Sequence, residues 1–192
     1  MDDWVKRALA KWPDVPALYG WLRLTRRGHW LIKDEAITNP RIIRVINRNY
    51  GVDDQGRWFF QNGPQRGYIA LDYAPFVLRS NDAGELHTHN ELKVTSATGV
   101  YLDEEGSLVL ETEHGPGLVN DHDLDWALSR LQINGAAVSD EQLLRALAQP
   151  SGAATALVLQ ACGQSCPVQR CDSGDMPSRL HFSRVPAPDD NA

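Results

Sequence analysis

Apolar positions recur at two periods along this chain. Residues 2–12 place Trp4, Val5, Ala8, Leu9 and Trp12 at helical spacing, which predicts a short amphipathic helix stopped by Pro13 and Pro16. From Trp21 the pattern becomes strand-like. Trp21–Thr25 and His29–Lys33 flank Arg26-Arg27-Gly28 as a hairpin. Arg57–Gln61, Tyr68–Asp72 and Pro75–Arg79 form a second cluster of strands. Within it Asn62-Gly63 supplies a tight turn and Pro64 blocks ladder donation. Further strands are predicted at Val100–Leu102, Ser107–Glu111, Thr155–Gln160 and Arg179–Val185, and a polar tail from Asp189.

Two segments share one design. In Val119-Asn120-Asp121-His122-Asp123-Leu124 and Val138-Ser139-Asp140-Glu141-Gln142-Leu143, a polar cap follows an apolar residue and a second apolar residue completes a hydrophobic staple. Gln142 completes a capping box with Ser139. Leu124, Leu128 and Leu131, and then Leu143, Leu144 and Leu147, continue as helices. Ile37-Thr38-Asn39-Pro40-Arg41-Ile42 is a weaker third copy, with Thr38 or Asn39 as its cap and Pro40 tolerated in the first turn. The expected fold is α+β, with antiparallel β-hairpins and repeated strand–turn–helix units packed on the sheet. The expected organisation is an N-terminal helix over 1–16, a β-rich half with one helix over 17–100, an α+β half over 101–186, and a disordered tail over 187–192.

Composition narrows the classes. The 192 residues are 42% hydrophobic with a net charge of −6, enough to bury a core and contrary to a nucleic-acid coat. Charge is uneven: residues 1–80 balance at +5 and residues 81–192 at −11. These fields, with the Trp4/Trp12 stripe, suit a homodimer; the alternative is that both tryptophans cover the chain's own sheet. Early Asp residues and interrupting cations do not fit a secretory signal, and no apolar run could span a bilayer, so a cytoplasmic protein with no membrane or nucleic-acid partner is expected. Three cysteines do not read as a disulfide framework.

WLIKDEAITNPRIIRVINRNY and GRWFFQNGPQRGYIALDYAPFVLR, with YLDEEGSLVLETEHG and NDHDLDWAL, carry a resemblance over roughly residues 20–130. NRNY at 47–50 and WFFQNGPQR at 58–66 are its specific motifs. The chain resembles a family of small uncharacterised proteobacterial proteins known only as a domain of unknown function, a resemblance that implies no activity. A more distant likeness, in the strand–turn–helix repeats and the Ala74-Pro75-Phe76 step, is to another uncharacterised bacterial family. It implies an α+β fold with repeated motifs and a signalling role.

Candidate chemistry gathers in the first half. Arg41, Arg44 and Arg48 fall on one helix face, with Ile42, Ile43 and Ile46 opposite. Asn47, Asn49, Gln61, Asn62, Gln65 and Arg66 add amide and guanidinium groups suited to a polar or anionic ligand. His87 and His89 would share a strand face with Glu85 and Glu91. That set, the His114/His122 connection and Cys162, Cys166 and Cys171 with His181 all lack the count or spacing of ordinary metal sites. No metal and no cofactor are expected. The reading is a non-catalytic binding or regulatory protein, contacting an anionic small molecule or a partner protein through the basic helix and the 61–66 turn. The alternative is an enzyme acting on a small anionic substrate with His87 or His89 as general base.

Overall fold

The structure is a computed structural model that describes residues 1–12 and 15–188. Pro13 and the segment from Asp189 lie outside the described residues, and so do the helix stop and most of the tail expected there. The chain forms two compact units, Met1–Tyr73 with His181–Ala192, and Ala74–Leu180. Sheets and helices occur in both, so the α+β class holds.

The first unit runs α1 (Asp3–Lys11), β1 (Leu18–Leu24), β2 (Trp30–Ile32), β3 (Glu35–Ala36), α2 (Pro40–Arg48), β4 (Tyr50–Val52), β5 (Trp58–Asn62) and β6 (Gln65–Leu71). Its described strands form one sheet in the order β3-β2-β1-β6-β5-β4. Neighbours are antiparallel except β1 and β6, which are parallel. The strands bury Leu22, Leu24, Trp30, Trp58, Phe59, Tyr68, Ile69 and Leu71, with consecutive residues of β5 and β6 buried on both faces of the sheet, and α2 adds Ile46.

The second unit contains β7 (Phe76–Ser80), β8 (Leu86–Thr88), β9 (Ala97–Leu102), β10 (Leu108–Thr112), β11 (Gly115–Val119), a 3-10 turn (Asp121–Asp123) and α3 (Leu124–Leu128). It continues with β12 (Leu131–Ile133), β13 (Ala136–Ala137), α4 (Asp140–Leu147), β14 (Ala154–Ala161), β15 (Gln164–Arg170) and α5 (Met176–Arg179). The sheet order is β13-β12-β14-β15-β9-β10-β11-β7-β8, with β7/β11 and β9/β15 parallel.

One local device recurs through both units. Thr25, Asp53, Asn81 and Asp103 each open a turn whose fourth residue is a glycine at positive φ, namely Gly28, Gly56, Gly84 and Gly106. The glycine N–H donates to the opening residue's carbonyl. The opening side chain accepts from the N–H four residues on in every copy. Such a turn closes a hairpin with purely local bonds. Residues 52–69 and 102–119 repeat the frame further. Gly67 and Gly117 sit where the third strand runs parallel to a neighbour, and a Cβ there would lie 3.3 Å from Leu22 and 2.6 Å from Leu78.

A second arrangement also occurs twice. Lys33-Asp34 and Asn134-Gly135 turn at positive φ between two short strands, and a capped helix follows. Asn39 accepts from the Arg41 N–H, and Ser139 and Gln142 form a reciprocal capping box. Asn120 instead caps the 3-10 turn through the His122 N–H. The helix that follows ends at Leu128, because Leu131 pairs with Leu159 in the sheet. Arg179–Val185, expected as a strand, is not one: the N–H groups of Asp175 and Met176 donate to the Asp172 carbonyl and start α5, with Pro177 in its first turn.

Candidate functional site

α2 carries the predicted basic face. Arg41 and Arg44 are exposed and form no ion pair among the described residues, whereas Arg48 reaches Asp2 at 3.3 Å. Ile46 is buried, but Ile42, expected to share its inward face, is 49% exposed. Ile42 and Ile46 line an apolar groove of about 170 Å³ together with Trp21, Leu22, Ile32 and Phe60. Trp21 and Ile32 are each 43% exposed there. Asn62 and Gln65 also line this groove, which places part of the 61–66 turn beside α2.

The other predicted residues are held by the fold. Asn47 accepts from the Trp30 indole N–H at 2.8 Å. Asn49 is fully buried: its Oδ1 accepts from the Asp2 N–H, and its Nδ2 donates to Asp2 and to the Val45 carbonyl. Gln61 is also fully buried, donating to the Gly63 carbonyl and accepting from Arg66 Nε at 3.4 Å. The Arg66 guanidinium lies 3.9 Å over the Phe59 ring. Asn49 and Gln61 are joined by the Gln61 N–H, which donates to the Asn49 carbonyl. These amides satisfy buried backbone groups, which otherwise cost roughly 1–3 kcal/mol each. Of the predicted residues, Asn62 and Gln65 therefore line the groove, with Gln65 Nε2 donating to the Pro16 carbonyl at 3.4 Å, while Arg41 and Arg44 are exposed on α2 away from the groove-lining Ile42 and Ile46.

The histidines do not form the expected face. β8 ends at Thr88, whose hydroxyl accepts from the Leu92 N–H, so His89 and Glu91 leave the strand. His89 is packed near Phe76, and its Nδ1 accepts from the Val77 N–H. Burial, with Arg79 adding repulsion, pushes its pKa down to about 3. A base that weak and that buried is poorly matched to proton transfer near neutral pH. Among the described residues no group of three or more His, Cys, Asp or Glu is placed to hold a metal ion. Cys162, Cys166 and Cys171 are free thiols that burial pushes up in pKa.

A two-unit α+β protein with an apolar groove beside a cationic helix belongs to no activity class by geometry alone. The family model described as a protein of unknown function (DUF2946) matches residues 1–187, and the chain belongs to that family. The match extends well beyond the 20–130 core of the sequence resemblance. No curated protein matches. The crystal structure of a DUF1285 family protein from Silicibacter pomeroyi DSS-3 is similar in fold, with a TM-score of 0.54, 15% identity and coverage of 84% of this chain and 86% of that one. A second DUF1285 family protein, from Shewanella baltica OS155, gives a TM-score of 0.42 at 12% identity, over 54% of this chain and 86% of that one. No helix among the described residues is long and apolar enough to cross a membrane.

Proposed function

We propose that the chain is a non-catalytic binding protein whose contact surface is the α2 groove, and that its partner is an acidic protein segment with one large apolar anchor. The groove carries this reading. At about 170 Å³ it is smaller than the roughly 300–1,000 Å³ of small-molecule pockets, but it suits a single aromatic or aliphatic side chain. Exposed Ile42, Trp21 and Ile32 supply the apolar wall. Arg41 and Arg44, exposed on the same helix beyond the groove and in no ion pair among the described residues, supply the charge that selects acidic flanks. A second copy is one such partner, because residues 74–180 carry 15 Asp+Glu against 6 Lys+Arg.

Selection of a phage-displayed peptide library on the full chain tests the surface. Enriched sequences should combine an aromatic or aliphatic anchor with flanking Asp or Glu. They should lose binding to Ile42→Glu and to Arg41→Glu/Arg44→Glu. Enrichment without acidic residues, or binding unchanged by these substitutions, refutes the reading. Light scattering at low and high salt decides whether a second copy is the partner, since contacts between exposed charges weaken with salt.

A further inference from the structure

The second unit holds a larger cavity, of about 430 Å³, within the size range of small-molecule sites. Five separate stretches line it: 84–86, 93–95, Trp126, Arg130 and 160–164. Leu86, Val94, Ala161 and the Trp126 indole make it largely apolar. Two cations stand in its wall. Lys93 is neutralised by Glu85 at 2.7 Å. Arg130 has no carboxylate within ion-pair distance among the described residues, although its unit carries 15 acidic side chains.

The Arg130 guanidinium is held in place without an acid. It lies 4.9 Å over the Trp126 ring, and its Nη1 donates to the Trp126 carbonyl and to Ser129 Oγ, both at 3.2 Å. Its Nη2 lies so close to Gly84 that a Cβ there would be 2.5 Å away. Trp126 is itself fixed, because its indole N–H donates to the Gly84 carbonyl at 2.9 Å. Among the described residues the Nε/Nη2 edge of the fork has no protein acceptor, since both of its bonds come from Nη1. That edge matches a carboxylate bidentately, and a stacked, immobilised guanidinium loses little entropy on binding.

We infer that this cavity binds a small organic monocarboxylate, its carboxylate on the Arg130 fork and its apolar body against Trp126, Leu86 and Val94. One unneutralised cation matches one negative charge, and the acidic unit around it disfavours multivalent anions. The site is independent of the α2 groove.

Calorimetric titration of the full chain with phenylacetate, phenylacetamide and inorganic phosphate tests it. Phenylacetate should bind with Kd at or below about 1 mM. The neutral amide and phosphate should each bind at least about tenfold more weakly, and Arg130→Gln should lose phenylacetate by a similar factor. Arg130→Lys keeps the charge but not the fork and should also weaken binding; it decides the matter if Arg130→Gln fails to fold. Arg44→Glu should leave the titration unchanged. Cys162 lines the same cavity while Cys166 and Cys171 are buried, so bound phenylacetate should slow alkylation of Cys162 by iodoacetamide. The inference is overturned by equal affinity for the amide or phosphate, by undiminished binding to the Arg130 variants, or by no binding and no protection with phenylacetate.

Discussion

Arg170 is the residue on which the second unit should prove most sensitive. Its side chain is 3% exposed and reaches four acceptors. Nε is shared between the Leu147 and Gln149 carbonyls at 3.1 and 3.2 Å, Nη1 donates to the Leu102 carbonyl at 2.6 Å, and Nη2 to Asp172 at 2.6 Å. Leu147 ends α4, so the guanidinium covers the negative end of that helix and ties it to β9. Arg170→Met keeps much of the volume and removes every one of these bonds.

The cost follows from which groups are left behind. Hydrogen bonds from a charged donor contribute roughly 1.5–3 kcal/mol each, and deleting several at one residue is less than additive. Asp172 is 47% exposed and stays solvated, so no buried charge is stranded. The Leu102 carbonyl keeps the Cys171 N–H. The loss that remains is that of the α4 carbonyls and the anchoring, about 3 kcal/mol, against total stabilities of roughly 5–15 kcal/mol. With a urea m-value near 2 kcal/mol/M, the midpoint should fall by about 1.5 M. Hydrogen exchange should show lost protection first in residues 140–149. Asp172→Asn, which removes only the half-exposed end, should cost below about 1 kcal/mol. A loss under about 1 kcal/mol for Arg170→Met, or equal losses for both variants, refutes the argument.

Three further outcomes are expected. His89 stays neutral in the folded protein down to about pH 3 but gains a proton near pH 6.5 when unfolded, so the unfolded state binds more protons and stability falls as pH drops through that window. In ¹H–¹⁵N spectra the His89 ring should show no titration near pH 6.5; a midpoint there would contradict the burial argument. Ser139→Ala should cost about 1 kcal/mol in a urea melt through loss of the capping box, and an unchanged midpoint would count against it. Gly106→Ala meets nothing within 4 Å and should cost only the positive-φ strain of about 1–2 kcal/mol, whereas at Gly56 a Cβ would lie 2.3 Å from the His181 carbonyl and must displace it. Equal melting temperatures for the two variants would remove that distinction.

Signals carried within a few residues were legible in the sequence. The caps at Asn39, Asn120 and Ser139, and the hairpin through Arg26-Arg27-Gly28, depend on neighbours along the chain, and each has a visible residue signature. The parallel pairings of β1 with β6 and β7 with β11 depend on long-range packing and have no such signature. A trace existed all the same, in the matching positions of Gly67 and Gly117. Asn49 and Gln61 looked like ligand groups because an amide that binds a ligand and one that satisfies buried backbone have the same chemistry. Only their burial against Asp2 and Gly63 separates the two. The Arg130 cavity was invisible because its walls come from five stretches of chain spread over 84–164.

The repeated hairpins separate what the frame demands from what has been added to it. Asp53 and Asp103, Gly56 and Gly106, and Gly67 and Gly117 recur because each serves the backbone: a turn acceptor, a positive φ, a close parallel neighbour. The strand side chains do not recur. Where residues 102–119 carry Ser107, Pro116 and Leu118, residues 52–69 carry Arg57, Arg66 and Tyr68. Tyr68 stacks on Tyr19 at 4.6 Å, and its hydroxyl joins Arg57 in donating to Asp53. Burial works against ionising Asp53, but these donors, with the Arg57 and Gln55 N–H groups, hold its pKa below the usual range. None of that is needed to close the hairpin, since the second copy closes without it. The arginine–tyrosine stack is thus specific to the first copy, and the frame alone does not explain it.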